Sequence, residues 1–125
     1  MNFLPKIRPR PIKRAKAIRQ APAFRRWVKK LQCSVKGCQN VDIDPAHVRY
    51  GLPPDALKGG GSLKPHDCWI IPLCRFHHDE QHNTGEQTFA AKYKIHGPSL
   101  AHQLWNEWQR TTETGRKFAR EHDNK

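Results

Sequence analysis

The sequence lacks a continuous apolar run of about 18 residues, the length that a membrane-spanning helix requires. Its basic N-terminus also lacks the apolar core of a secretory signal peptide. These two absences predict a cytoplasmic protein, in which thiols stay reduced. In that compartment, the four cysteines of the chain favour metal binding over disulfide formation.

Acidic side chains are scarce, and none occurs before Asp42. Lys and Arg number 23 against 11 Asp and Glu, which gives a net charge of +12 over 125 residues. Such a charge favours a polyanionic partner, because phosphates neutralised by basic side chains release their counterions. DNA is the expected partner, with RNA open as an alternative. An anionic membrane surface is disfavoured, because the basic segment has no broad apolar face.

The chain is long enough for one small domain with flanking polar segments. Its start alternates proline with basic residues and has too few apolar side chains to offset the entropy of ordering. We predict a flexible basic arm over 1–22, a single domain over 23–114 and a polar tail over 115–125. The arm either contacts the polyanion or serves only solubility, and its one-signed charge favours contact.

Hydrophobic spacing and turn residues predict an α+β fold. Glycine and proline between Cys38 and Cys74 exclude a long helix there and favour short strands joined by loops. Trp27 and the tryptophans near the C-terminus recur at helical spacing, so we expect them in the core. The expected strands are 41–48 and 69–73, and the expected helices are 23–31, 75–82, 87–95 and 99–112.

Two pairs of potential zinc ligands, Cys33-x4-Cys38 and Cys74-x2-His77, are the strongest chemical signal. Zinc binds four nitrogen or sulfur ligands tetrahedrally, and two closely spaced pairs separated by a loop commonly supply them. We therefore predict a closed structural zinc site whose binding energy contributes to folding. Cys68 is a rival for the place of His77, although its apolar, strand-like surroundings favour a buried structural role.

Further histidines predict a second, open site. His77 and His78 are adjacent, so on a helix their side chains diverge by about 100°. His78 and His82 are four residues apart and share one helix face, which suits two imidazoles on one ion. The alternative is a merely solvent-exposed His82. His47 ends a strand-like stretch, and a neutral imidazole can take a proton from water in phosphodiester hydrolysis.

Three segments together resemble the HNH (His-Me finger, ββα-metal) endonuclease superfamily: AHVR at 46–49, KPHD at 64–67 and IPLCRFHHDEQH at 71–82. The resemblance covers about 26–97 and is greatest to small zinc-containing members of phages and prophages, including the DUF968 family. It implies a ββα-metal core with a structural zinc knuckle and C-terminal helices. A phage-encoded member would act in the cytoplasm of the bacterial host.

The resemblance also implies a role for each site residue. His47 would be the general base that activates water, and Asp67 would orient the loop or the base. His78 and His82 would hold a catalytic divalent ion, Mg²⁺, Mn²⁺, Ni²⁺ or Zn²⁺, and the products would carry 5′-phosphate and 3′-hydroxyl ends. We also expect four basic side chains near these motifs to contact nucleic acid: Arg49, Lys58, Lys64 and Arg75.

Two departures from the superfamily pattern motivate alternatives to a nuclease. Ala46 stands where many members have a metal-binding Asp or His, and Trp69 stands where the pattern expects Asn. A non-catalytic, zinc-dependent nucleic-acid-binding module is therefore the second hypothesis. A third is a protein-interaction adaptor, which requires an exposed Trp105 or Trp108. The sequence carries no signal for oligomeric state or base specificity.

Overall fold

The computed structural model describes residues 21–52 and 66–122. Most of the predicted arm, together with Lys58 and Lys64, lies outside these residues. The α+β class is confirmed, because the described residues form five helices and one two-stranded sheet. In chain order, these elements are α1 (Pro22–Val28), β1 (Ile43–His47), β2 (Ile70–Cys74), α2 (Arg75–Thr84), α3 (Glu86–Tyr93), α4 (Gly97–Thr111) and α5 (Glu113–His122).

The two strands form an antiparallel hairpin at the centre of the molecule. Its register pairs Ile43 with Cys74 at one end and His47 with Ile70 at the other. Strand β2 is buried along its whole length, as its apolar sequence requires. Helix α2 follows β2 without a loop and packs against both strands. Side chains of α2 are thereby held beside β1.

A second core joins α1 to the C-terminal helices through aromatic rings. The ring of Phe24, which is fully buried, lies 4.9 Å from that of Trp105 and 5.3 Å from that of Trp108. Trp108 is 2% exposed and Trp105 is half-buried. The adaptor hypothesis requires one of these tryptophans at the surface, and their packing around Phe24 disfavours it. Trp27 is also half-buried and stacks on Phe24 at 6.0 Å.

Helix α5 covers most of the segment interpreted from the sequence as a polar tail. Its Phe118 packs against Trp105 and Trp108, with ring centroids at 5.1 and 5.5 Å. A Cβ atom at Gly115 would overlap the Trp108 carbonyl oxygen, so glycine permits the close turn between α4 and α5. The sequence suggested a polar tail here because Phe118 is the one large apolar side chain among mostly charged and polar neighbours.

Helix bounds elsewhere lie within three residues of the predicted ones, the largest difference being at the end of α1. No helix in the described stretches is long and apolar enough to cross a bilayer.

Candidate metal centre and adjoining cleft

Three cysteines and one histidine meet where the loop after α1 contacts the end of the hairpin. The donor atoms of Cys33, Cys38, Cys74 and His77 all lie within 4.8 Å of one another. The first two belong to the loop, Cys74 ends β2, and His77 lies in the first turn of α2. The four side chains that the sequence predicts as zinc ligands are therefore neighbours. Cys68, the rival ligand, is not part of this cluster.

The spacing of the donor atoms fits a tetrahedral zinc ion. Bond lengths of about 2.3 Å to sulfur and 2.05 Å to nitrogen place two sulfurs about 3.8 Å apart and sulfur and nitrogen about 3.6 Å apart. The Cys38 and Cys74 sulfurs are 3.8 Å apart, and the Cys33 sulfur is 3.6 Å from His77 Nδ1. The Cys74 sulfur is somewhat closer to Nδ1, at 3.2 Å. The cluster could therefore hold a structural metal such as zinc.

Hydrogen bonds to sulfur hold the cluster in this arrangement. Cys74 is the N-cap of α2, and its sulfur accepts from the His77 backbone N–H at 3.4 Å. The Asn40 amide donates to the same sulfur at 3.4 Å, and the Cys74 N–H donates to the Cys33 sulfur at 3.3 Å. Such donors orient and stabilise thiolate ligands.

The thiols of Cys33 and Cys74 differ in acidity. Burial raises the pKa of Cys33 to about 11. Burial acts in the same direction on Cys74, but hydrogen bonds from Asn40 and His77 outweigh it and lower its pKa to about 7. A metal ligand must be a thiolate, so of these two sulfurs that of Cys74 is closer to its binding form at neutral pH.

A surface cleft of about 390 Å³ opens on the other side of α2. It brings together three histidines that the sequence singled out, His47 from β1 and His78 and His82 from α2. The remaining lining residues are Arg25, Pro45 and Arg49. None of these six residues carries a carboxylate, so the cleft wall that they form is basic.

The two cleft histidines of α2 face each other. Their Nε2 atoms are 3.2 Å apart, as expected for residues four apart on one helix face. The other ring nitrogen of His78, Nδ1, lies 3.0 Å from Asp44 Oδ2 on β1. Asp44 also accepts two hydrogen bonds from Arg75, at 3.0 and 3.3 Å. The hydrogen bonds from Arg75 lower the pKa of Asp44 below its usual value, and the contact with His78 adds a smaller effect in the same direction.

His47 is held by a buried carboxylate. Asp67 is 3% exposed, and its Oδ1 lies 3.0 Å from His47 Nε2. Its Oδ2 accepts from the Ala21 backbone N–H at 2.8 Å and from Arg25 Nη1 at 3.1 Å. Burial acts to raise the pKa of Asp67, but the hydrogen bonds from His47 and Ala21 and the charge of Arg25 lower it below the usual value. Both oxygens are thus engaged inside the protein rather than in the cleft.

The basic residues expected at nucleic acid have different surroundings. Arg49 lines the cleft, and its backbone N–H donates to Glu86 at 2.9 Å. Arg75 is exposed but paired with Asp44. The lysines expected to act with them, Lys58 and Lys64, lie outside the described residues.

Sequence reasoning missed two residues that the fold brings to this region, Asp44 and Arg25. The sequence offered no signal for Asp44, because its place depends on the hairpin register, which pairs it with Leu73, two residues before the start of α2. Arg25 offered none, because its contact with Asp67 spans 42 positions. Ala46, at the position where many superfamily members have a ligand, is fully buried in the core.

Comparisons with known proteins identify a family without an assigned activity. The model of the family described as "Protein of unknown function (DUF968)" matches residues 9–107, most of the chain. The uncharacterized protein YdfU of Escherichia coli (strain K12) is 37% identical over 70 residues. That match covers 56% of this chain but only 18% of YdfU, so the chain spans a small part of that relative. No solved structure matches the chain.

Proposed function

Since this chain belongs to the DUF968 family, for which no function is assigned, we propose from its own site that it is a metal-dependent endonuclease of the HNH type, hydrolysing phosphodiester bonds in DNA. One observation carries the proposal: a histidine held by a buried carboxylate shares a cleft with a facing histidine pair. The order of hairpin and helix, β1–β2–α2, supports it, since this is the order that the HNH resemblance implies.

The histidine pair is suited to a divalent ion. Two imidazoles on one ion, each about 2.1 Å from it, have their nitrogens about 3.0 to 3.4 Å apart. The Nε2 atoms of His78 and His82 are 3.2 Å apart. Asp44 on Nδ1 of His78 supplies the outer carboxylate that commonly orients a metal-binding imidazole. When bound, the ion would stabilise negative charge on the phosphate and the leaving oxygen.

His47 is placed to act as the general base. The Asp67 carboxylate only accepts hydrogen bonds, so Nε2 of His47 carries the proton in that contact. The opposite nitrogen, Nδ1, is then the basic atom that takes a proton from the attacking water. Asp67 is a positioning residue, because it fixes the tautomer and ring orientation of His47 without facing the cleft itself.

The basic cleft wall and the charge of the chain favour a polyanionic substrate. Arg25 and Arg49 flank the three histidines, and the whole chain carries a net charge of +12. Phosphate contacts from basic side chains fix position without reading sequence. We therefore expect cleavage that is non-specific or structure-selective. DNA is the proposed substrate, and RNA is the alternative.

The second candidate function is a non-catalytic, metal-stapled module that binds nucleic acid. The burial of Ala46 favours it, because this position adds no ligand to the pair formed by His78 and His82. In this case, the cluster at Cys74 would still stabilise the fold, and the basic cleft would bind the backbone without hydrolysis.

Plasmid cleavage distinguishes the two functions. The protein, with one equivalent of structural metal confirmed, is incubated with supercoiled plasmid or single-stranded DNA and Mg²⁺, Mn²⁺, Ni²⁺ or Zn²⁺. We expect metal-dependent cutting, and a loss of at least about 100-fold in rate for His47→Ala, the range for removing a general base. His78→Ala should lose cutting as well, while both variants keep their structural metal.

His102→Ala is the matched control. This histidine is exposed on α4, hydrogen-bonds Asn106 and does not line the cleft, so its variant should cut at the native rate. Intact DNA with every ion, despite tight binding, would support the binding module. Unchanged cutting by His47→Ala would refute the assignment of the base.

A further inference from the structure

We propose that Arg25 is a phosphate-binding residue of the cleft, whose guanidinium bridges the buried Asp67 carboxylate and a phosphodiester of the bound nucleic acid. Asp67 would thereby couple the position of the substrate phosphate to that of His47. This inference rests on the proposed function, which identifies the anion as a phosphate of nucleic acid. The residues that carry it are Arg25, Asp67 and His47.

Asp67 divides its two oxygens between His47 and Arg25. Oδ1 contacts His47 Nε2 at 3.0 Å, and Oδ2 contacts Arg25 Nη1 at 3.1 Å. The buried carboxylate therefore fixes an imidazole and a guanidinium relative to each other. A group bound to Arg25 would lie at a defined distance from His47, which is the requirement for aligning water with a phosphorus atom.

Arg25 retains N–H donors beyond the one that contacts Asp67. A guanidinium has five N–H donors in a planar fork, and the contact with Asp67 uses Nη1. The side chain is 43% exposed and forms part of the cleft wall, so its other donors are accessible to a ligand. A planar fork of this kind matches two oxygens of a phosphate.

The lining of the cleft is positively charged. Arg49 is the other permanent cation among the lining residues, and no carboxylate is among them. Two carboxylates outside the lining pair with these cations: Asp67 with Arg25, buried behind the wall, and Glu86 with Arg49 at 4.0 Å. An anion entering the cleft thus meets two guanidiniums and three imidazoles, which favours a phosphodiester over a cationic or neutral ligand.

Helix α1 is held in place by its buried face and by the backbone N–H of its N-cap residue. Phe24 and Val28 on its inner face are fully buried against the aromatic cluster, and the Ala21 N–H is bonded to Asp67. Arg25 therefore projects from an anchored helix rather than from a surface loop. A rigidly held donor loses less entropy on binding its ligand.

The test uses a small probe that reports on the cleft alone. Zinc-loaded protein is titrated with the dinucleotide thymidylyl-thymidine, and binding is followed by the ring NMR resonances of His47 and His78. We expect saturable shifts with the native protein and at least about tenfold weaker binding for Arg25→Ala. The neutral methylphosphonate analogue of the dinucleotide should bind the native protein at least about tenfold more weakly than the charged probe.

Arg26→Ala is the matched control, because Arg26 is the next residue of α1, is exposed and does not line the cleft. It should bind the dinucleotide as the native protein does. Arg25→Lys guards against misfolding of the alanine variant. It keeps a positive charge beside Asp67, but an ammonium cannot bridge two anions as a planar fork does, so it should bind more weakly than the native protein.

Three results would overturn the inference. Equal binding by Arg25→Ala and Arg26→Ala would remove Arg25 from the phosphate site. Equal binding of the charged and neutral dinucleotides would show that the phosphate charge is not recognised. Inorganic phosphate that binds as tightly as the dinucleotide would assign the cleft to free phosphate rather than to nucleic acid.

These outcomes are separable from the fate of the proposed function. Dinucleotide binding that depends on Arg25, in a protein that never cuts DNA, would support this inference and refute the nuclease. DNA cutting that depends on His47, with Arg25→Ala equal to Arg26→Ala, would do the reverse.

Discussion

Helix α2 separates two regions that contain similar residues but differ in how many donor atoms they bring together. On one side, Cys74 and His77 join two loop cysteines in a cluster with four donor atoms within 4.8 Å of one another. On the other side, His78 and His82 contribute two nitrogens to a basic cleft. A four-donor cluster leaves no position for a substrate, whereas a two-donor pair leaves several. One helix can therefore support the fold with one face and offer an open site with the other.

The groups that contact the cysteine sulfurs and the histidine rings also differ between the two regions. In the cluster, N–H groups of Asn40 and the backbone donate to sulfur and favour thiolates. At the cleft, the carboxylates of Asp44 and Asp67 each contact one ring nitrogen of an imidazole, that of His78 and that of His47. The groups behind the donors therefore differ in kind: N–H donors lie behind the sulfurs, and carboxylates lie behind the imidazoles.

The largest effect should come from opening the cluster. Cys38→Ser should remove the structural metal and abolish cooperative thermal unfolding, because structural zinc supplies about 10 to 16 kcal/mol in small domains, as much as a typical domain's stability. Metal content and circular dichroism during heating measure both effects. Cys68→Ser, outside the cluster, is the control and should keep its metal. A metal-free Cys38→Ser protein that still unfolds cooperatively would argue against a structural role.

An intermediate effect should come from the carboxylate behind the histidine pair. Asp44→Asn should weaken binding of Ni²⁺ or Mn²⁺ at the cleft by about 10- to 100-fold, since an amide orients the His78 ring less strongly. Calorimetric titration of the zinc-loaded protein measures this affinity. Asp79 is exposed on α2, next to His78, and Asp79→Asn should have no effect on this affinity. Loss of the structural metal in Asp44→Asn would mean that the two regions are not independent.

The smallest effect should come from a hydrogen bond at the edge of the cluster. The Ser34 hydroxyl donates to the Pro72 carbonyl at 2.6 Å and tethers the cysteine loop to β2. Ser34→Ala should cost about 0.5 to 1.5 kcal/mol and lower the melting temperature by about 5 °C, with metal content unchanged. Thr111→Ala, at the exposed end of α4, is a control for hydroxyl loss. A loss of metal in Ser34→Ala would mean that metal binding depends on this hydrogen bond as well as on the four ligands.

The sequence alone was sufficient to predict four of the five described helices, the two strands and the members of each donor group. The spacing of Cys33 and Cys38, and of Cys74 and His77, indicated one four-ligand site. The four-residue spacing of His78 and His82 indicated a second, two-ligand site. Helical geometry is local and regular, so the division of α2 into two faces follows from the positions of its residues. Family membership in DUF968, suggested by the same motifs, is confirmed.

Only the tertiary structure decided which partners stand behind these groups. Asp44 reaches His78 across 34 positions, and Asp67 reaches Arg25 and His47 across 42 and 20. Such contacts depend on the hairpin register and on the docking of α1 against the C-terminal helices. No local pattern encodes either, because each is set by the packing of apolar surfaces that are distant in the chain. The basic cleft, with Arg25 in its wall, exists for the same reason.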